Sequence, residues 1–405
     1  MGAQLTSAAI LTGNQAAAEA ARLCRVQVVA AYPITPQSSV VETLSKFIEQ
    51  GKLDAEFVTV ESEHSALSVC IAASTVGARV FTATSANGLA YMCEQIHWAA
   101  GSRLPIVMGC ANRAMAAPWS VLNDQQDSMS QRDTGWIQLY CRNNQEILDT
   151  FIQAFRIAET VHVPVMVCYD GYILSHTVMP VEVPSQAQVD AFLPPYEPHT
   201  LLDPAQPRNI NPVTLADPRL DGNGMLCHGY MELRYLHQEA LLEAPAAIVE
   251  ADRAFEAAFG RRWGGLYWAY QLEDAEVVLL AAGSLASEAT AAVDALRAEG
   301  VPAGVLGLRA YRPFPKAALV NALENARLVT VFDKSLSYGN EGPICGDLKA
   351  ALYDSTHRPV VHGYIASLGG RDVKARQLAD ATRESLRCLE DNGGNKPTGW
   401  INCQI

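Results

Sequence analysis

Several short stretches of this 405-residue chain carry residue types that could handle a small anionic substrate. In "VTVESEHSAL" an apolar run ends in Glu61, Glu63 and His64. If extension persists past the run, the two carboxylates share a face, because side chains alternate along a strand. A carboxylate at such an edge can hold and pass on a proton. Equally, acids at the start of the helix-like "HSALSVCIAAS" would complement a helix dipole. The run "PIVMGCANRAMAAPWSVLNDQQDSMSQRDTGW" leaves a buried-looking strand with Asn112 and Arg113. An arginine there needs an anionic partner, either a structural ion pair or a substrate carboxylate gripped in bidentate fashion.

Two further turns complete the set. "AAYPITPQSS" fences Thr35 between Pro33 and Pro36. Prolines fix φ and push the preceding residue toward extended geometry, so Tyr32 and Thr35 are expected to be non-helical, with Thr35 at a strand-to-helix corner. Pro36 suits the first turn of the following helix. "FTATSANGLAYMCEQ" puts small hydroxyl residues, Asn87 and Gly88 at another such turn, able to cradle a polar ligand edge or to serve as a plain turn. "FDKSLSYGNEGPICGDL" and "ASLGGRD" are glycine-rich but match neither a Walker loop nor G-x-G-x-x-G, and are read mainly as shaping an interface.

The elements that must hold these turns alternate regularly. From residue 15 to 180, short apolar runs such as "CRVQVVAAYPIT", "GARVFTATSANG" and "VPVMVCYDGY" interleave with helical spacing such as "NQEILDTFIQAFRIAETV". This pattern predicts an α/β fold with a mostly parallel sheet, whose ligands bind at the C-terminal strand ends. The pattern dissolves over about 182–222, where eight prolines suggest an extended segment lying on a surface. A second alternating module restarts with "DAEVVLLAAGS" and "LASEATAAVDALRAEG". The expected division is 1–245, 246–385 and a C-terminal tail at 386–405.

Composition narrows the function classes. A net charge of −13 without a dense basic run argues against nucleic-acid or anionic-membrane partners. The N-terminal run lacks a basic lead, and no apolar run reaches transmembrane length, so a soluble cytoplasmic protein is expected. The 10 cysteines include no C-x-x-C pair, which points to buried thiols in a reducing compartment and to no metal site on this chain.

In order along the chain, "YPITPQS", "VESEHSA", "GARVFTATSANGLAYMCE", "NRAMAAPWS", "DQQDSMSQRDTGW", "LRAYRPFP", "GNEGP" and "GGRD" resemble the α subunit of the 2-oxoacid:ferredoxin oxidoreductases. This is the thiamine diphosphate family that includes pyruvate synthase. The resemblance implies a pyrimidine-binding domain up to residue 245, followed by a transketolase C-terminal-like domain. It implies a β subunit that binds the diphosphate and Mg2+, γ- and δ-type subunits that carry iron–sulfur clusters, CoA as acyl acceptor, and ferredoxin or an NAD-linked flavin subunit as electron acceptor. Carried over by position, Glu63 shares a proton with the aminopyrimidine of the cofactor, beside Pro33 and Asn87, while Thr35 and Arg113 hold the substrate's oxo and carboxylate ends.

One departure concerns the substrate. Gln125 stands where many pyruvate-type members have a histidine, and "WSVLND" is altered too, so the pocket beside the carboxylate site is open to reshaping. Pyruvate and a bulkier acid such as phenylglyoxylate both remain open; Thr35 argues against an oxalate-type site. A non-catalytic scaffold subunit and a thiamine-dependent enzyme with a non-redox outcome are the competing classes.

Overall fold

The apolar runs condense into two main sheets in a computed structural model that describes residues 6–198, 229–392 and 396–404. In chain order the strands are β1 (Thr6–Leu11), β2 (Val28–Ala31), β3 (Glu56–Thr59), β4 (Val80–Thr84), β5 (Val107–Asn112), β6 (Ile137–Tyr140), β7 (Val165–Asp170) and β8 (Met179–Pro184). The second half adds β9 (Tyr267–Tyr270), β10 (Val277–Ala282), β11 (Ala303–Leu308), β12 (Ala310–Arg312), β13 (Leu328–Asp333), β14 (Val360–Ile365) and β15 (Gly399–Trp400). The first sheet runs β12-β6-β7-β5-β4-β2-β3, with only β12 antiparallel to its neighbour. The second runs β15-β14-β13-β10-β11-β9, parallel except for β9. β1 and β8 pair antiparallel beside them.

This is the expected α/β architecture, and its composition explains it. β5, β7, β10, β11 and β13 are buried at every position, as parallel strands covered on both faces must be. The helix Gly13–Leu23 presents Ala16, Ala17, Ala20 and Ala21 fully buried, and these small side chains let it lie close against the helix Asn144–Val161. Its start is fixed by a capping box in which Thr12 and Gln15 exchange side-chain and backbone hydrogen bonds.

Four local expectations need correction. Pro36 does not occupy the first helical turn: the helix Ser38–Glu49 begins after an N-cap at Gln37, and Pro36 lies in the turn before it. The described part of the proline-rich stretch is extended only in part, because residues 182–184 belong to β8 and the helix Gln186–Phe192 follows, started by a Ser185–Gln188 capping box; residues 199–222 lie outside the described residues. Residues 386–392 do not hang as a tail: they continue the helix Ala375–Asn392, which buries Leu378, Ala379, Thr382 and Leu386, and β15 then extends the second sheet beyond β14. Finally, "LRAYRPFP" does not stay within the second module. Arg309 is fully buried against Glu146 at 3.3 Å and bonds to Thr150 and Gln153 of the first module, and β12 closes the edge of the first sheet.

The helix Tyr230–Phe259 runs across residue 245, with Pro245 inside it. No helix among the described residues is long and apolar enough to cross a membrane.

Candidate active site

Four neighbouring strands of the first sheet, β5, β4, β2 and β3, end on one edge and release the turns that carry the candidate residues. β2 leads to β3 on one side, after which the chain crosses to β4 on the other, so the gap between β2 and β4 is a topological switch point. Pro33 and Thr35 follow β2, Glu63 follows β3, Asn87 follows β4 and Arg113 follows β5.

The Thr35 corner is pinned from several sides. Asn14 donates to the Pro36 carbonyl at 2.7 Å and to Ser39 Oγ at 2.8 Å, and Tyr169 holds Asn14 in turn at 2.9 Å. Gln37 Nε2 reaches the Ala83 carbonyl at 2.9 Å, tying the corner to β4. Pro36 is buried while Pro33 and Thr35 remain exposed, which leaves the Thr35 hydroxyl on an accessible, rigidly backed turn.

Arg113 joins the same corner. It is 6% exposed, its Nη1 donates to the Thr35 carbonyl at 2.8 Å, and its buried Nε has no partner. Among the described residues it makes no ion pair. A guanidinium carries five N–H donors, and here most are left for an acceptor outside this set. Asn87 Oδ1 accepts from the Ala116 amide at 3.0 Å, linking the turn after β4 to the Arg113 loop.

Glu63 is the first residue of the helix Glu63–Thr75, whose N-cap Ser62 accepts from the Ser65 amide. The strand ends at Thr59, so Glu61 and Glu63 do not share an extended face: Glu61 is exposed and bonds Ser65, whereas Glu63 is 8% exposed. The Glu63 carboxylate packs under Gly88, where a Cβ would stand 2.6 Å from Glu63 Oε1 and 2.7 Å from Thr84 Oγ1. It makes no hydrogen bond to any described residue. His64 turns away, toward Gln95 at 3.0 Å and the Tyr91 ring.

Sequence reasoning passed over the residue that gathers these turns. Asp127 is buried and accepts from the Ala86 amide at 2.9 Å, the Arg113 amide at 2.9 Å, Asn112 Nδ2 at 2.7 Å and the Ser128 amide at 2.8 Å. Burial pushes its carboxyl above the usual range despite these donors. Nothing in "NDQQDSMSQ" distinguishes this acid from its neighbours, since its role exists only once β4 and β5 are adjacent.

Two family models match the chain. Residues 19–241 match the family described as pyruvate flavodoxin/ferredoxin oxidoreductase, thiamine diphosphate-binding, and residues 275–378 match pyruvate:ferredoxin oxidoreductase core domain II. The chain is 45% identical over 394 residues to the ketoisovalerate oxidoreductase subunit VorA of Pyrococcus horikoshii, covering 97% of each. It belongs to the α-subunit family of the 2-oxoacid:ferredoxin oxidoreductases. The pyruvate synthase subunit PorA of Methanocaldococcus jannaschii is 47% identical over 397 residues, again covering 97% of each. Among solved structures, a 2-oxoglutarate:ferredoxin oxidoreductase from Magnetococcus marinus superposes with a TM-score of 0.71 at 18% identity, covering 93% of this chain and 65% of that one. A split-gene transketolase gives 0.55 at 14% identity. At such identities these two speak for the fold alone.

The residues of this α subunit fit one half of thiamine diphosphate. Gly88 carries no side chain to hold off the Glu63 carboxylate and the Thr84 hydroxyl, both of which come within 2.7 Å of where its Cβ would stand, and among the described residues neither is hydrogen-bonded. These groups suit a flat ring bearing both donors and acceptors.

Gln125, where the sequence departs from its family, lies at the seam with the second module. Its carboxamide turns to the second module, with Nε2 at 3.5 Å from the Ala282 carbonyl and against Gly283, and its amide donates to the Lys334 carbonyl at 2.8 Å. The glycine-rich turns of that module do form an interface. Gly369 donates to Asp124 Oδ2 at 3.1 Å, Gly370 to the Asn123 carbonyl at 2.6 Å, and Leu336 to Gln126 Oε1 at 2.9 Å. A buried ion pair between Asp170 and Lys334 at 2.7 Å closes the seam. Burial would raise Asp170, but Lys334 and Ser284 outweigh it and hold the carboxyl below its usual range.

Proposed function

We propose that this chain is the catalytic α subunit of a multi-subunit 2-oxoacid:acceptor oxidoreductase that decarboxylates a 2-oxo acid oxidatively to its acyl-CoA. The observation that carries the reading is the gathering of Glu63, Thr35, Asn87 and Arg113 at the ends of four adjacent strands, with Glu63 and Arg113 buried, Arg113 Nε unpartnered and the Glu63 carboxylate not hydrogen-bonded among the described residues.

Thiamine diphosphate, when bound, supplies the electron sink for decarboxylation. Glu63 holds or shares a proton at the aminopyrimidine, with Pro33 and Asn87 bordering the ring. Arg113 grips the substrate carboxylate through its free donors, and the Thr35 hydroxyl meets the oxo group from its backed corner. Ligands for the diphosphate and Mg2+ come from a β-type partner, and those for iron–sulfur clusters from γ- and δ-type partners. Electrons leave to ferredoxin or an NAD-linked flavin subunit. CoA serves as acyl acceptor, as the family resemblance implies. The complex works in the cytoplasm, and the pyrimidine-binding part ends near residue 245.

For substrate, the relatives named for ketoisovalerate and pyruvate support a short aliphatic 2-oxo acid. Phenylglyoxylate stands behind these, because the argument for it rested on Gln125, whose side chain faces the second module.

The test is the reconstituted complex assayed with pyruvate, 2-oxoglutarate, branched 2-oxo acids and phenylglyoxylate, offering ferredoxin and NAD separately. Glu63→Gln is expected to abolish carbon dioxide release from every acid while the subunits still assemble. Near-normal turnover by that variant would sink the catalytic reading and leave a scaffold.

A further inference from the structure

Thr84 ends β4 with a side chain that is fully buried, and its hydroxyl has no hydrogen-bond partner. Leaving a buried hydroxyl unmatched is costly, so such a group in a native interior calls for an explanation. Its oxygen and Glu63 Oε1 both lie within 2.7 Å of one point, the position a Cβ would take on Gly88. In this structure the two side chains are neighbours without being bonded.

Their chemistry is complementary. An ionised carboxylate only accepts, whereas a hydroxyl donates and accepts. One threonine can therefore stay bonded to Glu63 whether the acid carries a proton or has shared it. Their mobility is complementary too. Thr84 is β-branched and set in a strand, hence stiff, while Glu63 has a long side chain that rotation can bring to it.

We infer that Thr84 is a positioning residue for Glu63: its hydroxyl bonds the Glu63 carboxyl and fixes the orientation in which that carboxyl meets the cofactor ring. The inference rests on the role proposed above for Glu63. Gly88 has the matching part of leaving both oxygens room to meet.

The assembled complex is rebuilt with Thr84→Ser, Thr84→Ala, Thr84→Val and, separately, Glu63→Gln. Three quantities are read: the thiamine diphosphate dissociation constant by titration calorimetry, the near-ultraviolet circular dichroism of the bound aminopyrimidine tautomers, and kcat with KM for the 2-oxo acid. Serine keeps the hydroxyl and should behave as native. Alanine and valine should lose on the order of 10- to 100-fold in kcat, the range set by one hydrogen bond to a charged group. They should also shift the tautomer signal, with little change in KM because Arg113 and Thr35 are untouched. Serine against alanine isolates the hydroxyl even if valine fails to assemble. Native kcat and dichroism in alanine, or serine failing alongside it, would overturn the inference. Should Glu63→Gln itself turn over normally, the functional reading falls first; if that variant is dead and alanine is native, only the role of Thr84 is lost.

Discussion

Replacing Gly88 with alanine adds one methyl group at the point where Glu63 and Thr84 meet. In an ordinary helix the change would be favourable by about 0.5–1 kcal/mol, since glycine loses the most conformational freedom on folding. Gly88 sits inside the helix Ala86–Tyr91, so that gain applies. The new Cβ, however, would stand 2.6 Å from Glu63 Oε1 and 2.7 Å from Thr84 Oγ1. Comfortable contact begins near 3.5 Å, so both oxygens must give way by about 1 Å. The Glu63 carboxylate is the end of a flexible side chain and swings aside, whereas Thr84 is stiff and held in β4, so its contact is relieved only by strain. Displacement of the proposed catalytic group by about 1 Å costs on the order of 100-fold in rate, and overpacking against Thr84 costs about 1–3 kcal/mol. Gly88→Ala should therefore lower kcat about 100-fold and lower the unfolding midpoint of the complex. Gly346→Ala is the control: it lies in the helix Pro343–Leu352, its nearest neighbour would be 3.9 Å away, and it should stabilise without touching turnover. The pair is measured by carbon dioxide release and thermal unfolding. Native turnover in Gly88→Ala would refute the wedge between glycine, threonine and acid.

Arg113→Ala should reduce kcat/KM for the 2-oxo acid by at least about 10- to 100-fold, because one or more charge-assisted bonds to the substrate disappear; unchanged steady-state kinetics would refute the carboxylate role. Lys334→Met strands the Asp170 charge in a seam where both partners are almost fully buried, and should cost about 3–5 kcal/mol in urea unfolding. Adding Asp170→Asn removes the charge, keeps an oxygen for Ser284 and should recover much of that loss; a single-variant cost below about 1 kcal/mol would mean that the pair behaves as if solvated. Asp333 is buried at the start of the helix Pro343–Leu352, and burial pushes its carboxyl up to about 7 even though the Ile344 and Cys345 amides donate to it. A carboxyl raised in the folded state contributes stability that is complete below its unfolded value near 3.9 and is lost as pH rises through about 7. Asp333→Asn should accordingly flatten the decline in stability between those values, and an unaltered pH profile would contradict the shift.

How far the site was legible depends on which partners each residue needs. Thr35, Glu63, Asn87 and Arg113 all follow apolar runs in a strand–helix alternation, and that alternation already implies a shared edge at the C-terminal strand ends. Local spacing put them at strand ends, and the roles proposed for them came with the family resemblance. Spacing failed for Asp127, whose nitrogen donors come from the ends of β4 and β5 and from its own turn, and for Thr84, whose significance lies in an acid that is distant in sequence. The direction of Gln125 was likewise unreadable, because Ala282 and Gly283 approach it from a different sheet. The same holds for β12: "LRAYRPFP" continues the second module by pattern, but the buried pairing of Arg309 with Glu146 draws it onto the first.

These long-range ties divide the labour between the two modules. The loop that leaves Arg113 is closed on itself by the Ala114 amide and the Leu122 carbonyl, and it is then held from the second module by Gly369 and Gly370. Gly370 has φ +75, and a Cβ there would overlap Leu122, so the turn can approach the loop this closely only as glycine. Asp124, pushed up to about 6 chiefly by burial, takes the Gly369 amide at the same seam. The proposed ring end of the site, by contrast, draws Glu63, Thr84 and Gly88 from the first module. A change in the seam should therefore disturb the grip on the substrate carboxylate before it disturbs the ring cradle. That ordering makes KM for the 2-oxo acid, rather than cofactor affinity, the quantity that reports on how the second module is docked.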